Sequence, residues 1–441
     1  MSLHTEERRI WLLIAGIVAV FALCIPLSTI VFKVNYDYTL TTVALGGALL
    51  GLVSGVLGTF AVLRQQSLMG DALSHAALPG VAIAFLIAGR QLGWLLIGAG
   101  IASWLGVMFI RAVTSTTRIK QDTAMGMTLA AFFAFGIALL AYIQGRPDAS
   151  QAGLDSFIFG QAAAIVQRDV LLIGGVGLAA FVVLALFWKE FKLITFNAEF
   201  ASANGFPVRA LDILLSTLIV VAIVLGLQLA GVILMVGLLI APPVAARQWT
   251  HHLEQTVVLA AVFGAFSGAT GAILSALQTG LPTGPLIIIV AFVIVFLSIA
   301  FAPERGLVWS LLKQRNDRHR FAAHNVLRDM YYHGQQHHNP AEPALEEMLV
   351  GLRGQAARVG LAQLHRSGLV EKHPTGWALT PAGVRTAADD ARSQRLWALY
   401  RLYHDELALP TIPEDRQQDI TNLLPEEALQ RLERLDEARK A

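Results

Sequence analysis

Residues 40–62 read Leu40-Thr41-Thr42-Val43-Ala44-Leu45-Gly46-Gly47-Ala48-Leu49-Leu50-Gly51-Leu52-Val53-Ser54-Gly55-Val56-Leu57-Gly58-Thr59-Phe60-Ala61-Val62, without one charged side chain. As a helix rising about 1.5 Å per residue, the stretch crosses roughly 30 Å of hydrocarbon. Outward from it, comparable apolar runs lie at 10–31, 69–88, 93–111, 123–143, 170–188, 211–229, 230–246, 257–277 and 285–301. The expected fold class is an all-α polytopic membrane protein. Runs 69–88 and 230–246 are short and interrupted by Pro79 and by Pro242-Pro243, so eight to ten transmembrane helices are expected. Gly47, Gly51 and Gly55 recur every four residues, which clears one helix face for the close approach of a neighbouring backbone.

The composition agrees. The 441 residues are 55% hydrophobic and 15% charged, with a mean hydropathy of +0.59, which excludes an ordinary soluble enzyme, a disordered chain and a fibre. Charge is unevenly distributed, however. Residues 315–441 hold 17 Lys/Arg and 18 Asp/Glu of the chain's 33 and 31, so the expected domains are a membrane domain 1–314 and a water-soluble domain 315–441. Arg8-Arg9, Arg64, Arg111, Arg118, Lys120, Lys189, Lys192, Arg209, Arg247, Arg305 and Lys313 fall on one side of a ten-crossing arrangement. By the positive-inside rule both termini are expected in the cytoplasm, with the chain multi-pass in the cell (inner) membrane. The first run is too long for a signal peptide and lacks a clear cleavage site, so it reads as a retained helix. Cys24, the sole cysteine, reads as a packed thiol.

No Walker-type loop ending in Lys-Ser/Thr is present, nor a Ser-His-Asp or Cys-His arrangement at interpretable spacing. No catalytic or cofactor-binding residue is assigned, and a pump built on this chain draws its energy from another chain or from a gradient. The chemistry concentrates in Met69-Gly70-Asp71-Ala72-Leu73-Ser74-His75-Ala76-Ala77-Leu78-Pro79-Gly80. Asp71 and His75 are four residues apart, hence on one helix face. Ionisable groups are costly in a bilayer, about 2.5–3.5 kcal/mol on insertion scales, so they pair, face a bundle interior or line a pathway. A carboxylate and an imidazole also make half of a site for a borderline divalent cation. Two readings stand side by side: a metal site at Asp71 and His75, and an Asp–His hydrogen bond that locks the helix.

The stretch Gly70 to Ala82 resembles the signature of the permease subunits of manganese/zinc/iron ABC importers. Leu154-Asp155-Ser156-Phe157-Ile158-Phe159-Gly160, Leu227-Gln228-Leu229-Ala230-Gly231-Val232 and Ala241-Pro242-Pro243-Val244-Ala245-Ala246-Arg247 extend the likeness over residues 10–302. The resemblance implies a type II ABC importer-like fold and a homodimeric or paired permease for manganese, iron or zinc. It implies as partners an extracytoplasmic metal-binding protein and a cytoplasmic ABC ATPase that uses the ATP, the metal being cargo and not a cofactor. It also implies a coupling helix in Asn197-Ala198-Glu199-Phe200-Ala201-Ser202-Ala203-Asn204-Gly205-Phe206-Pro207, with Asn197, Glu199, Phe200, Ala203 and Gly205 facing the ATPase. The residues fit a short helix capped by Asn197, with Glu199 in its first turn and a stop at Gly205 and Pro207. Asp148 and Asp155 are outer-loop candidates for meeting the delivery protein, and Gln228 is a pathway candidate, a packed amide being the competing reading.

Past residue 315 the pattern is helical at 319–332, around 342–349 and at 355–366, then a small hairpin in which 367–372 is followed by a returning strand at 377–383, the expected signature of a winged helix in a small α+β domain. Leu364-His365-Arg366-Ser367-Gly368-Leu369-Val370 with Leu379-Thr380-Pro381-Ala382-Gly383 resembles metal-dependent repressors of the diphtheria-toxin-repressor and manganese-regulator type. Where that family offers metal ligands, this chain has Gln394, Ala398, Ile420 and Thr421, poor ligands for manganese or iron. The balanced charge argues against DNA binding, and a protein-interaction or dimerisation module is the favoured reading. His333, His337 and His338 form an imidazole-rich stretch for which a solvated linker is expected; His251-His252 is read with the same reserve. Two further classes stay open: a membrane-tethered metal-responsive transcriptional regulator and a gradient-driven secondary metal carrier.

Overall fold

The computed structural model describes residues 15, 16 and 19 and then residues 37–441, apart from 90, 146–164, 278–280, 304–305, 405, 408, 412–419 and 441. The run at 10–31 apart from residues 15, 16 and 19, Cys24, Asp148, Asp155 and the segment 154–160 lie outside the described residues, as does the side chain of Gln228. The chain divides into two compact units, one ending at Trp309 and the other beginning at Ser310.

The first unit is a helical bundle: α1 Tyr38–Leu63, α2 Leu68–Ala88, α3 Leu92–Thr116, α4 Gln121–Gln144, α5 Gln167–Leu186, α6 Trp188–Phe196, α7 Ala198–Ala203, α8 Val208–Ala246, α9 Leu253–Ser275 and α10 Thr283–Phe301. Among the described residues eight helices are long and apolar enough to cross a membrane. The core pair is α1 with α9, and its geometry follows from glycine. A Cβ on Gly47 would sit 2.8 Å from the carbonyl oxygen of Gly268, and a Cβ on Gly51 or Gly55 would overlap the carbonyl of Gly264 or Ala260. As the α1 numbers rise the α9 numbers fall, so the helices run antiparallel with their backbones in contact. Gly80 of α2 and Gly98 of α3 repeat the device.

Of the two short runs for which a broken or partial span is open from sequence, 69–88 is one helix long enough to cross and 230–246 is the partial one. Pro79 lies inside α2 without ending it; its ring removes the donor that would have served the carbonyl of His75, four residues back. The runs 211–229 and 230–246 join in α8, which breaks at Gly231, where φ is 74° and ψ 173°, a conformation open in practice only to glycine. The second limb folds back on the first. A Cβ on Gly226 would overlap the sulfur of Met235, whereas nine residues of continuous helix would separate the two by roughly 13 Å. Asp212 in the first limb pairs with Arg64 just past α1, and Leu239 in the second packs its carbonyl on Gly58, six residues before Arg64. Both ends of α8 therefore lie at one end of the bundle. The first limb, Val208–Leu227, spans; Met235–Ala246 is a half-span, about 18 Å long at the helical rise.

In the second unit most of α11 (Leu307–Gln336) is followed by α12 Glu346–Arg353, α13 Gln355–Arg366, β1 Val370–His373, β2 Gly376–Leu379, α14 Pro381–Tyr403 and α15 Glu426–Lys440. The strands pair antiparallel, Val370 opposite Leu379 and His373 opposite Gly376, and Ala344 adds a bridge to Trp377. The turn needs Gly376, whose φ is 154°. Thr380 caps α14 by accepting from the Gly383 N–H, with Pro381 at the first helical position. Val326, Leu349, Leu361, Leu364, Val370 and Leu379 meet in one core; Leu396, Trp397, Tyr400, Ile420, Leu424 and Leu432 meet in a second.

Candidate functional site

Asp71 and His75 lie in the first two turns of α2. The positive end of the helix dipole favours a carboxylate at Asp71. Four residues on, His75 turns the same way, and its Nε2 approaches Asp71 Oδ1 to 3.3 Å. The Phe133 ring of α4 meets the imidazole edge-on at 4.8 Å between centroids. Leu73, Ala76, Ala77 and Leu78 are buried around them, yet Asp71 keeps 38% and His75 22% of its side-chain surface exposed. Acid and imidazole thus stand together on a half-open face of an apolar bundle, Asp71 Oδ2 and His75 Nδ1 being spare for another ligand. Among the described residues no group of three or more His, Cys, Asp or Glu side chains comes together to hold a metal.

Ser103 of α3 ties down this segment by donating to the carbonyl of Leu73 at 2.9 Å. The backbone of Gln228, the expected pathway residue, falls in α8 just before the Gly231 break.

The stretch 197–207 forms a separate surface at the end of the bundle where α8 begins. Asn197 accepts from the Phe200 N–H at 2.9 Å and starts α7; α7 stops at Asn204, and Gly205 adopts φ 81°. Only Ala201 is buried, while Asn197, Glu199, Phe200, Ala203 and Gly205 are exposed together with Phe196 and Phe206. Helix α6 anchors the segment: Trp188 and Phe191 pack edge-on to Phe60 of α1 at 5.9 and 6.4 Å, and Lys192 donates to Glu254 of α9 at 2.5 Å. Three exposed phenylalanines on so rigid a base make a surface suited to a partner.

One constellation escaped the sequence reading. Arg64, Arg111 and Asp212, from three distant parts of the chain, converge at the same end of the bundle, the carboxylate accepting from both guanidinium groups. Burial lowers the pKa of Arg64 to about 10, which leaves it cationic at neutral pH. Each residue alone reads as an ordinary helix-end charge, so spacing gave no signal.

In the second unit the residues that the sequence reading set at would-be ligand positions make other contacts. Gln394 accepts from Arg328 at 3.0 Å and lies 3.0 Å from His324 Nε2, which is 3.2 Å from Asp390. Ile420 is fully buried and Ala398 exposed. The His333 and His337 rings lie 4.4 Å apart, and His337 Nδ1 is 2.9 Å from the His333 carbonyl. Arg353 grips Asp329 through Nε and Nη2 at 2.7 and 3.0 Å, a hydrogen-bonded pairing that raises the arginine pKa.

Residues 36–302 match the model of the "ABC 3 transport family". The chain is 39% identical over 389 residues to the manganese transport system membrane protein MntC of Bacillus subtilis (strain 168), covering 88% of this chain and 89% of that protein. That span is longer than the membrane unit, so the likeness runs into the second unit as well. Identity to the zinc transport system membrane protein TroC of Treponema pallidum (strain Nichols) is 48% over 280 residues, or 63% of this chain and 94% of that one. Among solved structures, PsaBC from Streptococcus pneumoniae in complex with Fab is similar, with a TM-score of 0.55 and 31% identity over 61% of this chain and 94% of that one. Among the described residues eight long apolar helices and a half-span form one bundle, and the family match makes it that of a multi-pass membrane permease. The chain belongs to the ABC 3 transport family.

Proposed function

We propose that this chain is the membrane permease of an ATP-driven ABC importer for divalent transition metal ions, manganese, zinc or iron, with Asp71 and His75 on the metal path. The observation that carries the reading is the half-exposed Asp71–His75 pair on a buried helix of a chain whose relatives are named for manganese and zinc transport. A bilayer does not tolerate such a face uncovered. A second permease copy laid on it brings a second carboxylate and imidazole, so two ligands become four, a sufficient donor set for a divalent ion. An extracytoplasmic binding protein delivers the metal. ATP is hydrolysed by a partner subunit docked on α7 through Glu199, Phe200, Ala203 and Gly205, the end of the bundle that includes Arg64 and Asp212 being cytoplasmic and both termini on that side.

Transport then proceeds by alternating access. Closure of the ATPase dimer draws the two α7 surfaces together, and the half-span hinged at Gly231 passes the motion to the pathway beside α1 and α2. Asp71 supplies charge to draw in the cation, while neutral His75 supplies a softer nitrogen that can release it. The test is radiolabelled manganese and zinc accumulation in cells carrying Asp71→Ala or His75→Ala. Uptake should fall to background while membrane assembly and ATPase docking persist; undiminished uptake would remove the pair from the pathway. Uptake that survives loss of every partner ATPase would instead indicate a gradient-driven carrier.

The second unit reads as a winged helix, with α13 and the β1–β2 hairpin as its recognition helix and wing, resembling metal-dependent repressors whose ligand positions are here replaced by Gln394, Ala398, Ile420 and Thr421. The Arg328–Gln394 bond carries this reading, because a guanidinium beside the would-be ligand repels a cation. The unit serves as a protein-interaction or dimerisation module. Metal-dependent DNA retention by the full chain in nanodiscs would favour the tethered-regulator reading instead.

A further inference from the structure

The cluster of Arg64, Arg111 and Asp212 borders a cavity of about 160 Å³ that cation transport leaves without a task. Gln66, in the α1–α2 turn, Gln121, the first residue of α4, Thr114 of α3 and Ser216 of α8 complete its polar wall. Asp212 neutralises one of the two guanidinium groups, so the site keeps a formal charge of +1. Arg64 Nη1 is buried with no hydrogen-bond partner, and so is Oε1 of Gln66. The Gln66 residue is only 7% exposed. Buried polar atoms without partners are rare in folded proteins and point to a missing ligand or water. Helix α4 adds its own polarity: it begins at the cavity without a side-chain cap, since Lys120 precedes it and offers no acceptor.

The two unsatisfied atoms differ in kind: Arg64 Nη1 lacks an acceptor, and Gln66 Oε1, as placed, lacks a donor. The site nonetheless carries an excess positive charge from its two guanidinium groups against the one carboxylate of Asp212, and its donors approach from three different elements. A carboxylate or a halide satisfies one or two of them, whereas a tetrahedral oxyanion presents oxygens to all, arginine forks and helix N-termini being common phosphate binders. Turning the Gln66 amide by half a turn presents its N–H₂ to the same anion. We propose that this cavity binds a phosphate group, the ligand being either the headgroup of an anionic phospholipid at that membrane face or free inorganic phosphate. The site lies beside Met69 at the start of α2, and its occupant braces α1, α3, α4 and α8 at one end of the bundle.

The experiment uses the full chain, purified and delipidated, and reads binding by native mass spectrometry and by thermal shift. One arm titrates inorganic phosphate against chloride at equal ionic strength; the other titrates phosphatidylglycerol against phosphatidylcholine in mixed micelles. Binding in either arm supports the site and names its source. Arg111→Gln should weaken it about tenfold, the usual scale for one charged hydrogen bond. Asp212→Asn, which removes the competing carboxylate, should tighten it, and Arg168→Gln on α5 should leave it unchanged. Should Arg111→Gln fail to assemble, Gln66→Leu takes its place with the same weakening expected. Absence of binding in both arms, or equal binding by all variants, overturns the proposal.

Discussion

Two kinds of residue organise this membrane domain, and they act through opposite physics. Gly51 matters for what it lacks: its missing side chain lets the carbonyl of Gly264 approach, which brings two backbones together where lipid offers no hydrophobic drive for helix association. Gly175 on α5 has open space where a Cβ would go. The contrast is a prediction. Gly51→Val should cost at least the ~1–3 kcal/mol typical of overpacking, read as a lower melting temperature and less assembled protein, whereas Gly175→Ala should be neutral or slightly stabilising. Equal behaviour of the two would mean that α1 and α9 are not in backbone contact. Asp71 and His75 matter for what they carry, and the exposure each retains is what a second copy would cover.

At the scale of elements, the short helix α7 is held by more than its own propensity. Six residues form too short a helix to be stable alone; the Asn197 cap, the Gly205 stop and the packing of α6 on Phe60 fix it in place. Phe200, 55% exposed, is then the phenylalanine that α7 itself offers to a partner, beside Phe196 of α6. Phe200→Ala should lower ATPase association, measured by co-purification, and metal uptake together, with folding unchanged because the ring buries little in this chain. Asn197→Ala should act more weakly, through the ~1 kcal/mol of a lost cap. If both variants retain full co-purification, α7 is not the docking element. The broken helix α8 shows the converse case: its chain stays helical through Pro242-Pro243, and one glycine in an unusual conformation, Gly231, divides it into a span and a half-span.

For the molecule as a whole, two units with separate apolar cores follow from one chain whose charge is concentrated in its last third. A core of its own implies autonomous folding. Residues 310–441 expressed alone should unfold cooperatively on heating with helical circular dichroism, and a chain ending at Trp309 should still insert and accumulate metal. A non-cooperative melt of the fragment would mean that it needs the membrane unit in order to fold. The similarity to the Bacillus protein continues past the membrane unit, so the tail is shared with a relative and is a part whose role awaits the deletion.

Hydrophobic run length and glycine spacing are local properties, which is why the spans, the close-packing face of α1 and the capped α7 were legible in the sequence, whereas the partner of that face, α9, was not. The Asp71–His75 pair was legible for the same reason, since residues four apart on a helix share a face in any fold. Spacing could not place Arg64, Arg111 and Asp212 together, because their encounter depends on how three helices stack. Nor could it decide whether 230–246 is a full or a partial span, because that turns on where the chain breaks, at the φ of Gly231, a torsion that glycine permits without requiring. Sequence determined which segments the bilayer would hold; tertiary structure decided which charges would meet, because packing alone brings distant residues within reach of one another.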